Sequence, residues 1–526
     1  MKTRDLLKNP VFSISAFVVG ILVILGAINP KGFSNVAGVL YEFTTYNFGW
    51  LYLIAVFIFT IFLLVLAFTK YGRIRLGGDK EKPEFPFYTW IGMLFSAGLG
   101  VGLVFWGVAE PLSHYFNSPF TDIPDKTEES ARVAMSYAFF HWGASQWSIF
   151  AIVGLVIAYL QYRKKQDGLV STALEPITGK NTTIKNTIDS LSVIATVMGI
   201  ATSIGLGVMQ MNGGLNAVFG VPNAGWMQLL IIAGVFVAYM ISSTTGLHKG
   251  IKYLSNVNMT LVLLLLIFVF FAGPTLFILN TFTVGLGDYL ANFVSYSLRL
   301  TPYEGGTWAI DWTIFYWAWV IAWSPFVGAF VARISRGRSI REFVFGVMIV
   351  PPLISCLWFA SFGGTALYSD LNNGTAIAEA VDADVTVALF ELFNILPLST
   401  IMSLLAILLI ATFLITSADS AAYILGSMTS RGSLDPSMTA KMVWGVLISA
   451  IAGVLLFAGG LEALQTASLV AALPFTILML TMVFAIVKLV RTDIVPITNR
   501  DMKRYKRMRE RYEAQELENN DEDQNK

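Results

Sequence analysis

The chain has 526 residues, 55% of them hydrophobic and 13% charged, with a formal net charge of +1 at pH 7. That balance excludes a water-soluble globular protein and points to an integral membrane protein. A single cysteine, Cys356, excludes a disulfide framework, and the absence of a Walker-type phosphate loop or dinucleotide fingerprint argues against ATP-driven transport by this chain alone.

The first ten residues hold Lys2, Arg4 and Lys8 ahead of an apolar run. No convincing small-residue cleavage site follows, so the run reads as a first span, not a signal peptide. Twelve apolar runs long enough to cross a bilayer recur, at 11–29, 49–69, 87–108, 133–161, 188–208, 225–243, 254–278, 308–332, 343–368, 398–427, 439–459 and 465–490. The N-terminus, the connections at 70–82, 163–185, 249–252, 333–341 and 431–441, and the tail from Lys488 hold 31 of the 35 Lys and Arg. The remaining connections hold only Lys31, Lys126, Arg132 and Arg299. By the positive-inside rule both termini are expected in the cytoplasm, which requires an even number of spans.

Between the seventh and eighth spans, Phe282 to Leu300 is too polar to cross and is expected to form an amphipathic helix on the outer surface. The connection from Asp370 to Asp384 has no Lys or Arg. In the tail, Arg500 to Arg511 is basic with helical composition, and Glu513 to Asp523 is acidic and expected to be disordered. Two overlapping readings fit the basic part. It anchors to anionic lipid, at about 1 kcal/mol per charge near the surface, or it senses the ionic state of the cytoplasm.

The third span contains Gly98-Leu99-Gly100-Val101-Gly102. Each glycine disfavours a helix by about 1 kcal/mol relative to alanine. A break there frees backbone groups that hydrocarbon cannot satisfy. The alternative is close helix packing through the Gly98/Gly102 spacing. The eighth span carries Ser324-Pro325 with Gly328 following, read as a second interruption. Breaks five spans apart, in spans of opposite direction, are what an inverted repeat of five spans produces, and this points to a secondary transporter. The expected organisation is an N-terminus at 1–10, two added spans and a loop at 11–86, a first repeat at 87–278, an external connector at 279–307, a second repeat at 308–490 and a charged tail at 491–526.

Trp317, Trp319 and Trp323 crowd the centre of the eighth span, where Trp319 and Trp323 share one helix face. Trp147 and Phe150 are three apart near the middle of the fourth. Two readings fit these rings, core packing and an enclosure for a quaternary ammonium, which has no N–H to donate and is recognised by aromatic faces. A carboxylate on the same ligand would meet N–H groups at the unwound Gly98–Gly102 backbone. In the tenth span Thr416 and Ser417 suit a hard monovalent cation, or bond back to the preceding turn. Asp419 marks function if it is at membrane depth, or lies at the cytoplasmic end near Arg431. The three histidines show no metal-ligand spacing, no nucleophile–base pair argues for an enzyme, and no nucleic-acid partner is expected.

The glycine stretch through Glu110-Pro111, His141-Trp142, Tyr316-Trp317-Ala318-Trp319, Trp323-Ser324-Pro325-Phe326-Val327-Gly328, Ala332 to Arg338 and Thr416 to Ser420 together resemble the betaine/carnitine/choline transporter family, over essentially all twelve spans. The resemblance implies an all-α, leucine-transporter-like fold of five plus five spans with two extra N-terminal ones. It also implies a homotrimer in a bacterial-type plasma membrane, moving a small zwitterionic or quaternary ammonium solute. The family's aromatic cage falls on Trp142, Trp147, Phe150 and Val320, with Trp319 and Trp323 adjacent and Gly98, Gly100 and Gly102 beside it. Phe150 and Val320 stand where betaine carriers have tyrosine and tryptophan. Losing the second ring removes about 0.5–2 kcal/mol of cation–π attraction. That favours a bulkier or ring-shaped zwitterion, such as ectoine or proline betaine. The family's sodium site falls on the carbonyls of Ser96, Leu99 and Phe413 and the hydroxyls of Thr416 and Ser417, with Thr202, Ser203 and Phe326 as candidates for a second. No Lys or Arg lies between Asn186 and Leu247, where sodium-independent exchangers place an arginine, and Gly102 is not the aspartate of proton-coupled choline carriers. The expectation is therefore a sodium-coupled symporter of a zwitterionic compatible solute, glycine betaine or a related betaine or ectoine, serving osmoprotection. The rivals are a proton-coupled choline carrier or carnitine-type exchanger of the same architecture, and a channel.

Overall fold

Two Asn-Pro pairs start the chain's first helices. Asn9 accepts a hydrogen bond from Val11 N and Pro10 opens α1 (Pro10–Ile28); Asn29 accepts from Gly32 N and Pro30 opens α2 (Pro30–Phe68). A capping asparagine followed by proline in the first turn is a strong helix start. It carries α2 through 30–48, which the hydropathy assigns to a connection. At 39 residues α2 is about 58 Å long and outruns a hydrocarbon core of about 30 Å.

The computed structural model describes residues 6–98, 100–245, 247–303, 305–433, 435–496, 502 and 506–513. The third predicted span is two helices, α3 (Phe87–Gly98) and α4 (Val101–Phe116). The fourth is α5 (Glu128–His141) and α6 (Ala144–Ala158), parted at Trp142-Gly143 and ending in a π turn at Tyr159–Lys164. Then follow α7 (Val170–Thr178), α8 (Thr182–Phe219), α9 (Gly225–Thr245), α10 (Leu247–Ala272) and α11 (Thr275–Ser297). A π turn at Ile310–Ile314 feeds α12 (Phe315–Ile334), which precedes α13 (Ile340–Asn373). Short α14 (Ile377–Ala383) and α15 (Ala388–Asn394) lead to α16 (Ser399–Met428) and α17 (Met438–Arg491). Among the described residues there is no strand, and ten helices are long and apolar enough to cross a membrane. α17 bends at Gly460, whose φ of +58° lies in the left-handed region.

The interruption expected at Ser324-Pro325 does not occur. α12 runs unbroken through Pro325. Proline removes the N–H that would reach the carbonyl four residues earlier. That carbonyl is Ile321 O, and Ser324 Oγ donates to it at 2.8 Å. The side chain replaces the lost backbone bond, so the helix continues.

The basic connections gather at one end of the bundle. Arg163 pairs with Asp79 and Asp493, Arg336 with Glu81, Arg75 Nη1 donates to Gly337 O, and Lys488 Nζ to Pro176 O. Asn9 Nδ2 donates to Thr429 O at the same end. The opposite end holds Lys126–Glu379, Arg132–Asp288 and the bond from Asn223 to Asp384. The expected connector helix at 282–300 is present as α11, held to α5 by the Arg132–Asp288 pair. Of the basic and acidic segments expected in the tail, 500–501, 503–505 and 514–523 lie outside the described residues. α12 is the buried axis of the bundle, packed on α6, α8 and α17.

Candidate site at the broken helix

α3 ends at Gly98 and α4 begins at Val101, and Gly100 just before it stands outside helical geometry with φ −84° and ψ −148°. Of the predicted cation ligands, Leu99 lies outside the described residues; Ser96 lies within α3. The glycines are where they are because indoles press on them. A Cβ at Gly98 would overlap the Trp147 ring, and one at Gly102 would overlap Trp319 and stand 3.2 Å from Trp142. A Cβ at Gly100 would be 3.8 Å from Trp323, an ordinary contact. The small residues thus receive aromatic side chains here, not another helix backbone.

The predicted rings come together. Trp319 and Trp323 are stacked at 6.2 Å with planes 11° apart, and Trp142 meets Trp319 edge-on at 6.5 Å. Phe150 meets Trp147 at 5.7 Å and Trp323 at 5.6 Å, both edge-on. All five are buried. Trp319 Nε1 donates to Ser203 Oγ at 3.1 Å, while Trp147 Nε1 has no partner among the described residues. Between these helices lies a small cavity lined by Gly100, Val101, Gly102, Ser203, Ile204, Trp323, Leu414 and Ser417. Of the five rings only Trp323 lines it; Val320, fully buried, does not line it either.

Ser417 therefore reaches the same cavity as the helix break. Thr416 is engaged differently: its hydroxyl donates back to Thr412 O and Phe413 O, at 3.0 and 3.1 Å, and accepts from Asn258 Nδ2 at 3.2 Å. Of the second-site candidates, Ser203 lines the cavity, Phe326 contacts Trp323, and Thr202 binds Ser468 and Leu464 O above the α17 bend. Asp419 is buried and accepts from Ser242 Oγ at 2.8 Å.

Sequence reasoning assigns Glu110 no role. The predicted span ends at 108, but α4 runs to Phe116 and Glu110 is fully buried. Oε1 receives His141 Nδ1 at 2.7 Å and His114 Nε2 at 3.3 Å; Oε2 receives Trp142 Nε1 at 2.7 Å and Tyr316 OH at 2.6 Å. His141 Nε2 lies 2.9 Å from Thr313 Oγ1. Glu110, His114 and His141 converge although their spacing shows no metal pattern, and the donor set is one a metal could use. The 2.7 Å contact decides the reading. Two ligands at about 2.1 Å from a tetrahedral ion stand about 3.4 Å apart, so this is a hydrogen-bonded hub. The readable signal was a carboxylate four residues before a histidine, just past the end of an apolar run.

A family profile described as betaine/carnitine/choline family transporter matches residues 10–495. The chain belongs to the betaine/carnitine/choline transporter family. It is a multi-pass membrane transporter and not an enzyme. Among this transporter's relatives, the "Ectoine/hydroxyectoine transporter" of Virgibacillus pantothenticus is 64% identical over 91% of this chain and 96% of its own length. The "Glycine betaine transporter OpuD" of Bacillus subtilis is 49% identical over 90% and 93%. The "Probable glycine betaine transporter" of Desulfitobacterium hafniense is 44% identical over 93% and 99%.

Proposed function

We propose that this transporter imports a zwitterionic compatible solute for osmoprotection, ectoine and hydroxyectoine ahead of glycine betaine, by sodium symport. The observation that carries the reading is the closure of four indoles onto a helix broken at glycine. Aromatic faces offer attraction to a cationic or amidinium head, and the freed backbone at Gly100 and the unpartnered Trp147 Nε1–H offer donors to a carboxylate. The 64% identity to an ectoine/hydroxyectoine transporter supports the ectoine class.

In this reading the ten long helices become twelve spans, with α3 and α4 counted as one interrupted span and α17 as two around Gly460. The end rich in Arg and Lys faces the cytoplasm, both termini included, and the carrier is a homotrimer in the plasma membrane whose basic tail meets anionic lipid. Spans three to seven and eight to twelve are the two inverted repeats. Sodium sits beside the break, with Ser417 and Thr416 supplying hydroxyls and Ser96, Leu99 and Phe413 supplying carbonyls.

The test is uptake of labelled ectoine into proteoliposomes, with sodium replaced by potassium at constant membrane potential. Uptake is expected to fall to background in potassium and to be competed by hydroxyectoine better than by glycine betaine, choline or carnitine. Undiminished uptake in potassium overturns sodium coupling. Stronger competition by choline overturns the solute assignment, and lack of counterflow overturns a carrier in favour of a pore.

A further inference from the structure

A buried carboxylate without a lysine or arginine beside it needs hydrogen bonds to every lone pair it exposes. Glu110 obtains four, and they divide by oxygen. The two histidines take Oε1, and Trp142 and Tyr316 take Oε2. The second pair belongs to the cage and its approach. Trp142 packs edge-on against Trp319 and stands over Gly102; Tyr316 lies one turn before Trp319 on α12, 6.2 Å ring to ring.

Trp142 needs such an anchor. It is the residue at which α5 ends, with φ −99° and ψ 7°, and Gly143 after it adopts an extended conformation before α6 starts. Its backbone has helix only on the α5 side, so a side-chain contact is needed to fix where its indole points. The charged hydrogen bond to Glu110 does so. Glu110 stands on α4, eight residues after Gly102, and thereby ties the indole to the same helix whose broken start it covers. The Oε1 side holds Glu110 in turn. His141 links it through Thr313 to the π turn ahead of α12, and His114 lies four residues on along α4. One carboxylate thus joins the broken helix, the α5–α6 hinge and the tryptophan helix.

We infer that Glu110 is the positioning residue of the solute cage: it aims Trp142 and Tyr316, and solute affinity depends on it although it does not line the cavity. This rests on the cage reading above. Its chemical demand is specific, because a glutamine of the same shape offers one acceptor oxygen and one donor nitrogen. It cannot receive both the histidine pair and the Trp142–Tyr316 pair.

The test compares Glu110→Gln, Trp142→Phe, Tyr316→Phe and the Glu110→Gln/Trp142→Phe double variant, in proteoliposomes at equal incorporated protein, by KM and maximal rate of ectoine uptake. Losing one charged hydrogen bond of this kind corresponds to about tenfold in affinity. Glu110→Gln and Tyr316→Phe are each expected to raise KM about tenfold with the maximal rate within about twofold. The double variant is expected to be no weaker than Trp142→Phe alone, because residues acting through one another are not additive. A merely structural role would lower the amount of active carrier and its rate, and leave KM in place. Unchanged KM in Glu110→Gln, with KM raised in Trp142→Phe, overturns the positioning role and leaves the cage standing. Unchanged KM in Trp142→Phe removes the cage and this inference with it. If Glu110→Gln does not assemble, Tyr316→Phe decides: a raised KM supports the role and an unchanged one overturns it.

Discussion

At the scale of single residues, three glycines within five positions do different work. Gly98 and Gly102 are obligatory because an added methyl group would enter the rings of Trp147 and of Trp319. Gly100 has ordinary clearance from Trp323. Gly98→Ala and Gly102→Ala are therefore expected to cut ectoine uptake at least about tenfold, since even about 1–3 kcal/mol of overpacking at the cage is enough. Gly100→Ala should keep uptake within about threefold of the parent, as no such overlap arises. Equal loss in all three would show that the backbone break, not the ring contacts, sets the requirement. The rings themselves were legible in the sequence, because indoles away from the membrane interfaces are unusual and helical spacing shows which share a face. Val320 was legible as a departure from the betaine-carrier pattern. Its burial away from the cavity was not, because a one-residue step turns a side chain by about 100° on a helix. Glu110 was lost for a different reason. Hydropathy ends a span at the first charge, whereas the helix continues when partners from other helices satisfy that charge, and those partners lie up to 206 residues away.

At the scale of elements, the two suspected breaks divide by whether a neighbouring side chain can repair the lost bond. Glycine at 98–102 has no side chain with which to satisfy the freed groups, and the helix parts. Proline at 325 is preceded by a serine whose hydroxyl reaches Ile321 O, and the helix holds. Ser324→Ala should accordingly destabilise the carrier by about 1 kcal/mol, read as a lower apparent unfolding temperature in detergent. Adding Pro325→Ala returns an N–H to Ile321 O and should recover that loss. A double variant no more stable than Ser324→Ala alone would mean that the hydroxyl is not replacing the backbone bond. The same local chemistry explains what the sequence concealed about α2. Its apolar core reads as a span from 49, but the capping Asn29 and Pro30 start the helix 19 residues earlier. Ambiguity of this kind is inherent in hydropathy, which records where lipid can be and not where hydrogen-bonded helix begins.

At the scale of the whole molecule, α6 connects the cage with the basic end. From Trp147 beside the break to Arg163 is sixteen residues, about 24 Å of helix. There Arg163 donates to both carboxylate oxygens of Asp493, just past α17, each at 3.0 Å, and also pairs with Asp79. Tyr159 OH adds a bond to Asp493 at 2.7 Å. The π turn that continues α6 is thus clamped to the end of the last long helix and to the connection after α2. Charge counting along the sequence places these three connections on one side, and the contacts agree. Burial works to raise the Asp493 pKa, but the hydrogen bonds from Arg163 and Tyr159 outweigh it and bring the carboxyl down to about 2. An unfolded aspartate titrates near about 3.9. A carboxyl depressed on folding stabilises the folded state fully above the unfolded value, and that contribution is lost as the pH falls through the folded one. The clamp should therefore be constant from about pH 5 to about pH 8 and weaken only in acid. Asp493→Asn is expected to lower the apparent unfolding temperature at pH 7. The gap between parent and variant should stay level down to about pH 5 and close as the pH is lowered toward about 2. A gap that stays open in acid would assign the loss to packing, and the absence of any gap at pH 7 would show that this end of α6 is not held by its ion pair.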